Sequence, residues 1–231
     1  MGSVASHFRT LGFSPSTIFD VGVASGTFEL YDVWPNAKLI LVEAMQAFEP
    51  TMQKICSQRK ASASYVVAAA GDKDGEILMH YSDYLSGASS VSGQQKKRTV
   101  PMHALDTLES RFAASPPYLL KIDVQGAEVA VLSGASGVLP KCEVVMLEIP
   151  MFNFDGNPNT FVEVIGLMKS MGFVPHDIYD GLCRPIDDAL GQIDVAFVKA
   201  DGPFRQLHIW ETAEQSARRN RRARLRNTLG I

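Results

Sequence analysis

The stretch Ile18-Phe19-Asp20-Val21-Gly22-Val23-Ala24-Ser25-Gly26-Thr27 decides how this chain folds. An apolar run ends near an acid, and two glycines follow in the spacing D-x-G-x-x-x-G. Short apolar runs bounded by turn residues read as buried strands. Glycine just past a strand end leaves the backbone bare, so a ligand can approach it closely. The pattern predicts the first strand and first turn of a Rossmann-like α/β domain, with a nucleoside-type cofactor over the turn.

Working outward, the chain alternates strands with helices. Strands are predicted over 17–21, 38–42, 64–69, 76–81, 98–102, 118–122, 144–149, 173–178 and 194–199, and helices over 26–33, 48–59, 107–112, 127–133 and 160–171. Such alternation implies a mainly parallel sheet with helices on both faces. No helix separates the last two strands, only a loop over 179–192, so one member is expected to run antiparallel. The Ser- and Gly-rich segment 82–95 reads as a mobile loop and a candidate lid. One domain over 1–204 with a C-terminal extension over 205–231 is the economical division.

Composition bounds the class. The chain has 231 residues, 46% of them hydrophobic and 20% charged, as in an ordinary globular protein. It contains no apolar run long enough to span a membrane, and Met1–Leu11 shows no signal-peptide core. Cys56, Cys142 and Cys183 are sparse and far apart, which argues against a disulfide framework or a zinc site. A cytoplasmic setting is expected. Net charge is −3, but six arginines lie between Arg218 and Arg226. Without them 16 basic residues face 25 acidic ones. A basic tail on an acidic body can bind nucleic acid or anionic lipid, yet the cluster is short and has no interleaved aromatic. A solvated helix lying on the body, or on a partner in a homo-oligomer, is the expected reading.

Glu43 ends the second predicted strand, where a carboxylate can accept both hydroxyls of a ribose. That geometry serves a dinucleotide or S-adenosylmethionine. Two details favour the latter. The dinucleotide fingerprint G-x-G-x-x-G is absent, since position 24 is Ala. An acid at Asp20 repels a pyrophosphate but suits the cationic amino and sulfonium groups of S-adenosylmethionine.

The run Leu119-Leu120-Lys121-Ile122-Asp123-Val124-Gln125-Gly126-Ala127-Glu128 places a polar cluster directly after a buried strand. Lys121 is expected to reach a carboxylate or the rim, Asp123 to face the cofactor methyl or the substrate, and Glu128 to be a surface or capping acid. Glu148, near the end of the next strand, repeats the pattern. Neighbouring strands lie about 4.8 Å apart, so Asp123 and Glu148 can meet. Two such carboxylates either create a base or bind a hard cation such as Mg²⁺. His80 and His176 are further candidate bases.

The runs at 18–26 (IFDVGVASG) and 119–128 (LLKIDVQGAE), then Val131–Ala135, the Leu147-Glu148 strand, Gly172-Phe173, His103–Leu108 and Asp194–Val198, together resemble the FkbM-type methyltransferases. The resemblance extends from about Thr17 to Lys199. It implies a class I S-adenosylmethionine-dependent methyltransferase, with a mainly parallel seven-stranded sheet and one antiparallel strand. Such enzymes usually act on a hydroxyl oxygen of macrolides, surface-polysaccharide sugars or other secondary metabolites. Carried onto this chain, the resemblance puts Asp20, Gly22, Ala24 and Gly26 at the methionine end. Glu43 and Ala44 fall at the ribose, and Ala70, Gly71 and Asp72 beside the adenine. Members commonly follow the strand-two acid with Pro, whereas here Ala44-Met45-Gln46 follows and Pro50 comes late. The expected acceptor is a hydroxylated small molecule or glycan. Transfer to nitrogen or carboxylate, and an inactive fold kept as a binding module, are the other readings.

Overall fold

The segment TIFDV at Thr17–Val21 forms a strand buried at every position, and the remaining elements assemble around it. The computed structural model describes residues 1–59, 63–81, 96–154 and 157–229, with side chains except at positions 80, 81, 96 and 222–229. In chain order the first elements are α1 (Gly2–Thr10), β1 (Thr17–Val21), α2 (Phe28–Val33), β2 (Lys38–Glu43), α3 (Glu49–Arg59) and β3 (Ala63–Val67). There follow β4 (Ala69–Ala70), β5 (Gly75–Tyr81), β6 (Lys96–His103), α4 (Leu105–Arg111), β7 (Tyr118–Ile122) and α5 (Glu128–Ser133). The chain closes with β8 (Cys142–Pro150), α6 (Phe161–Ser170), β9 (Phe173–Cys183), β10 (Leu190–Lys199) and α7 (Ala213–Leu229).

Seven strands form one sheet in the order β3-β2-β1-β7-β8-β10-β9. All neighbours pair parallel except β10, which is antiparallel to both β8 and β9. The single antiparallel member expected from the missing crossover helix is therefore β10. Side-chain alternation sorts the core into two layers. Phe19, Val21, Ile40, Val42, Leu120 and Ile122 meet α4, α5 and α6 through Leu108, Val131 and Met168. Ile18, Leu39, Leu41 and Leu119 meet α1, α2 and α3 through Phe8, Leu30, Met52 and Ile55. Helix α6 starts on a capping box, with Glu163 Oε2 accepting from the Thr160 amide at 3.1 Å. No helix among the described residues is long and apolar enough to cross a membrane.

The structure corrects several expectations. The strand over 64–69 is two strands: β3 belongs to the large sheet and β4 to a second sheet ordered β4-β6-β5. The break falls at Ala68, whose amide turns to donate to the Glu43 carbonyl at 3.0 Å. Most of the loop over 179–192 is strand, because β9 and β10 run on as a long hairpin. Their register slips at three places along its length. Helix α1 carries buried Val4, Ala5 and Phe8 and was not expected. The candidate lid over 82–95 lies outside the described residues.

Candidate active site

Strand order reverses between β1 and β7: the chain builds outward from β1 to β2 and β3, then returns to lay β7 on the other side. Ligands of open α/β sheets sit beyond the carboxyl ends of the strands at such a switch point. Gly22 leaves β1 there with φ +79°, in the left-handed region. A Cβ on Gly22 would lie 1.7 Å from the Asp123 carbonyl oxygen. The glycine is thus required by the turn after β7, which presses against it. Gly26, with φ +96°, ends this first turn. Ala24 between them also has positive φ, and its amide donates to Glu43 Oε2 at 2.9 Å. Glu43 Oε1 accepts from the Met45 amide at 2.8 Å, beside Ala44. Two amides on four lone-pair positions leave the carboxylate at the β2 end with acceptor capacity for a diol.

Asp20 is fully buried on the α2–α3 side of the sheet. One oxygen accepts the hydroxyl of Tyr31 from α2, and the other lies 3.1 Å from Lys121 Nζ. Burial, then the Asp20 charge, hold the Tyr31 phenol above its ordinary range, so it stays a donor. Lys121 reaches a carboxylate, as its place in β7 suggested. Ala70 and Gly71 are buried, with Gly71 packed against Met102 and Gly134, while Asp72 is exposed. His80 lies in β5, and its side chain is outside the described residues. His176 sits apart, among His7, Phe8 and Phe204, with burial first among the causes that lower its pKa.

The end of β7 and the end of β8 converge. Gln125 Nε2 donates to Asp123 Oδ1 at 3.0 Å and to Glu148 Oε2 at 2.7 Å. Gln125 holds this position with φ +57°, a conformation that costs a side-chain-bearing residue about 1 kcal/mol. Glu128 caps the same turn, accepting from the amides of Val124 at 3.3 Å and Gly126 at 3.0 Å. It is a buried cap rather than a surface acid. Gln192 of β10 donates to Glu148 Oε1. Asp194, one register pair across from Glu148, adds a third carboxyl. Burial, then the charges of Asp123 and Asp194, push Glu148 up to about 8. Burial, then Asp123 and Asp180, push Asp194 up to about 7. A cavity of about 150 Å³ opens here, lined by Glu148, Asp180, Leu182, Gln192 and Asp194. A larger one of about 570 Å³ lies between α2 and α3 and holds none of the residues singled out in the sequence.

Sequence reasoning missed Asp194, Gln192 and Tyr31, and gave Gln125 no role beyond membership of the polar cluster after β7. The signal for Asp194 was an acid in the apolar strand DVAFVK; nothing local marked Gln192 or Tyr31. Among the described residues no three His, Cys, Asp or Glu side chains converge as a metal site requires. The Mg²⁺ expectation at Asp123 and Glu148 is therefore not supported.

This strand order, with carboxylates at the ends of β2, β7 and β8, defines a class I methyltransferase fold. The chain belongs to the FkbM methyltransferase family: the model of the methyltransferase FkbM domain matches residues 20–175. It is similar to the methyltransferase FkbM from Methylobacillus flagellatus KT at 13% identity and a TM-score of 0.52. That match covers 79% of this chain and 44% of the other, so the chain spans less than half of that protein. It also resembles the 1,6-didemethyltoxoflavin-N1-methyltransferase of Burkholderia thailandensis, solved with 1,6-didemethyltoxoflavin and S-adenosylhomocysteine. There identity is 10%, TM-score 0.46, and coverage 86% of this chain and 77% of that one. The precorrin-6y C5,15-methyltransferase of Geobacter metallireducens GS-15 matches at 9% identity and TM-score 0.44, covering 85% and 84%. No curated protein matches the chain.

Proposed function

We propose that this chain moves a methyl group from S-adenosylmethionine to a hydroxyl oxygen of a sugar, polysaccharide or secondary metabolite. When bound, the cofactor supplies a methyl group on a sulfonium that leaves readily. The turn Gly22–Gly26 would hold the methionine end through bare backbone, and Glu43 the ribose through its remaining lone pairs. The adenine would lie beside Ala70–Asp72. Residues 1–204 form the transferase domain in this reading, and 205–231 an appended extension. The expected setting is cytoplasmic, with no nucleic-acid partner.

One observation carries the choice of oxygen. Glu148 is a carboxyl at about 8, fixed between two glutamine amides at the mouth of a cleft. A base matched to neutral pH is what a hydroxyl nucleophile requires, and such a group contributes roughly 10²–10⁴-fold. Glu148 takes the proton as the oxygen attacks in line. Asp123 and Asp194 keep its affinity for that proton high. Asp123 and Glu148 share the Gln125 amide, a contact that the base reading leaves intact.

A panel of hydroxylated acceptors, assayed for S-adenosylhomocysteine release, tests the reaction. Glu148→Gln should abolish most turnover while leaving cofactor binding by titration calorimetry intact. Calorimetry that finds no affinity for S-adenosylmethionine, or finds NAD bound instead, overturns the proposal.

A further inference from the structure

Lys121 stands inside the sheet at 4% exposure, paired in register with Asp20 of β1. A buried ammonium is costly unless acceptors surround it. Here the three acceptors come from two segments of chain, the end of β1 with its turn and the turn after β7. Lys121 Nζ donates to the Gly22 carbonyl at 2.7 Å, and lies 3.1 Å from Asp20 Oδ1 and 3.5 Å from Asp123 Oδ2. Burial works against the charge, but the Asp20 and Asp123 carboxylates outweigh it, so the ammonium is held above the ordinary lysine range. Neutralising Asp20 would need only one of these contacts. The other two reach the first carbonyl of the turn after β1 and the first side chain of the turn after β7. Those turns already touch, since the Asp123 carbonyl fills the space where Gly22 lacks a Cβ.

We propose that Lys121 is a positioning residue whose ammonium clamps the turn after β1 to the turn after β7, fixing the donor side of the site against the acceptor side. The inference rests on the methyl-transfer reading above and adds to it how the two halves are held. In-line transfer depends steeply on alignment, and misplacement by about 1 Å can cost roughly a hundredfold in rate. Tyr31 steadies the clamp from behind by donating to Asp20.

Removing the ammonium alone strands the Asp20 carboxylate in the core, so Lys121→Met is expected to unfold. The informative chain is the double variant D20N/K121M, which removes both charges together; buried pairs replaced by neutral residues of similar volume are often tolerated. Two readouts are taken on the full chain: hydrogen exchange of the peptide 21–27 without cofactor, and S-adenosylmethionine affinity with steady-state kinetics. The folded double variant should exchange the turn amides roughly tenfold faster, bind S-adenosylmethionine roughly tenfold more weakly, and lose roughly a hundredfold in kcat/KM. Exchange and kinetics within about twofold of the parent overturn the clamp and leave Lys121 a mere counter-charge. A looser turn with unchanged kinetics overturns it equally. If the parent itself does not bind S-adenosylmethionine, the methyl-transfer reading falls, and the exchange measurement alone then decides whether Lys121 ties the two turns.

Discussion

Replacing Glu148 by Gln exposes a thermodynamic consequence of the same carboxyl that the chemistry uses. In the folded protein burial, reinforced by Asp123 and Asp194, lifts Glu148 from 4.5 to about 8. An unfolded chain leaves it near 4.5. Between those values the folded state keeps a proton that the unfolded state has released. Stability changes with pH as the protons bound by the unfolded state minus those bound by the folded state. For Glu148 that difference is negative, so stability falls as pH climbs toward 8 and levels off beyond. One proton is worth about 1.4 kcal/mol per pH unit, so the span from about pH 5 to about pH 7.5 costs the parent about 3 kcal/mol. The E148Q chain has no such proton. Parent and variant should therefore diverge by about 3 kcal/mol across that span, in the variant's favour at the higher pH. For a chain of this length that is about 6–12 °C in melting temperature. Asp194, raised to about 7, acts with the same sign in both chains. Thermal or urea unfolding followed by circular dichroism at several pH values measures the divergence. A parent–variant difference constant to about 0.5 kcal/mol across the range refutes the burial argument.

Other substitutions test the surroundings. Asp194→Asn removes a charge that raises Glu148, so the acidic limb of the kcat/KM profile should move to lower pH; an unmoved limb separates Asp194 from the base. Gly22→Ala forces a Cβ to 1.7 Å from the Asp123 carbonyl at φ +79°, and should cost about 3 kcal/mol or more, read as a lost or lowered thermal transition. Ending the chain at Thr212 removes a helix whose described side chains are exposed or half-buried, so the melting temperature should stay within about 3 °C of the parent.

Much of the frame was legible because it is local. Thr17–Val21, Lys38–Glu43 and Tyr118–Ile122 are apolar runs with no polar break long enough to mislead, and each is a central strand. The polar cluster after β7 announced itself for the same reason. The partners of Asp20 were not legible, because only the fold brings Tyr31 of α2 and Lys121 of β7 to it. Asp194 was hidden by distance in sequence: its meeting with Glu148 depends on β10 running antiparallel beside β8. Asp180 and Gly181 read as loop by composition, yet an exposed hairpin at a sheet margin tolerates polar residues along its strands, while Asp187 and Asp188 do lie in its turn. Helix α1 was overlooked because its apolar positions, Val4, Ala5 and Phe8, are few and sit among Ser, Gly and His.

The outermost strand, β9, is eleven residues long and ends the sheet. An open margin of that length is a template on which a second molecule can crystallise its own backbone. The three slips in register against β10, with Asp180 at positive φ among them, kink the strand and scatter its outward amides and carbonyls. What looks like a flaw in the ladder thus acts as a colloidal safeguard, keeping one molecule's sheet from running on into the next.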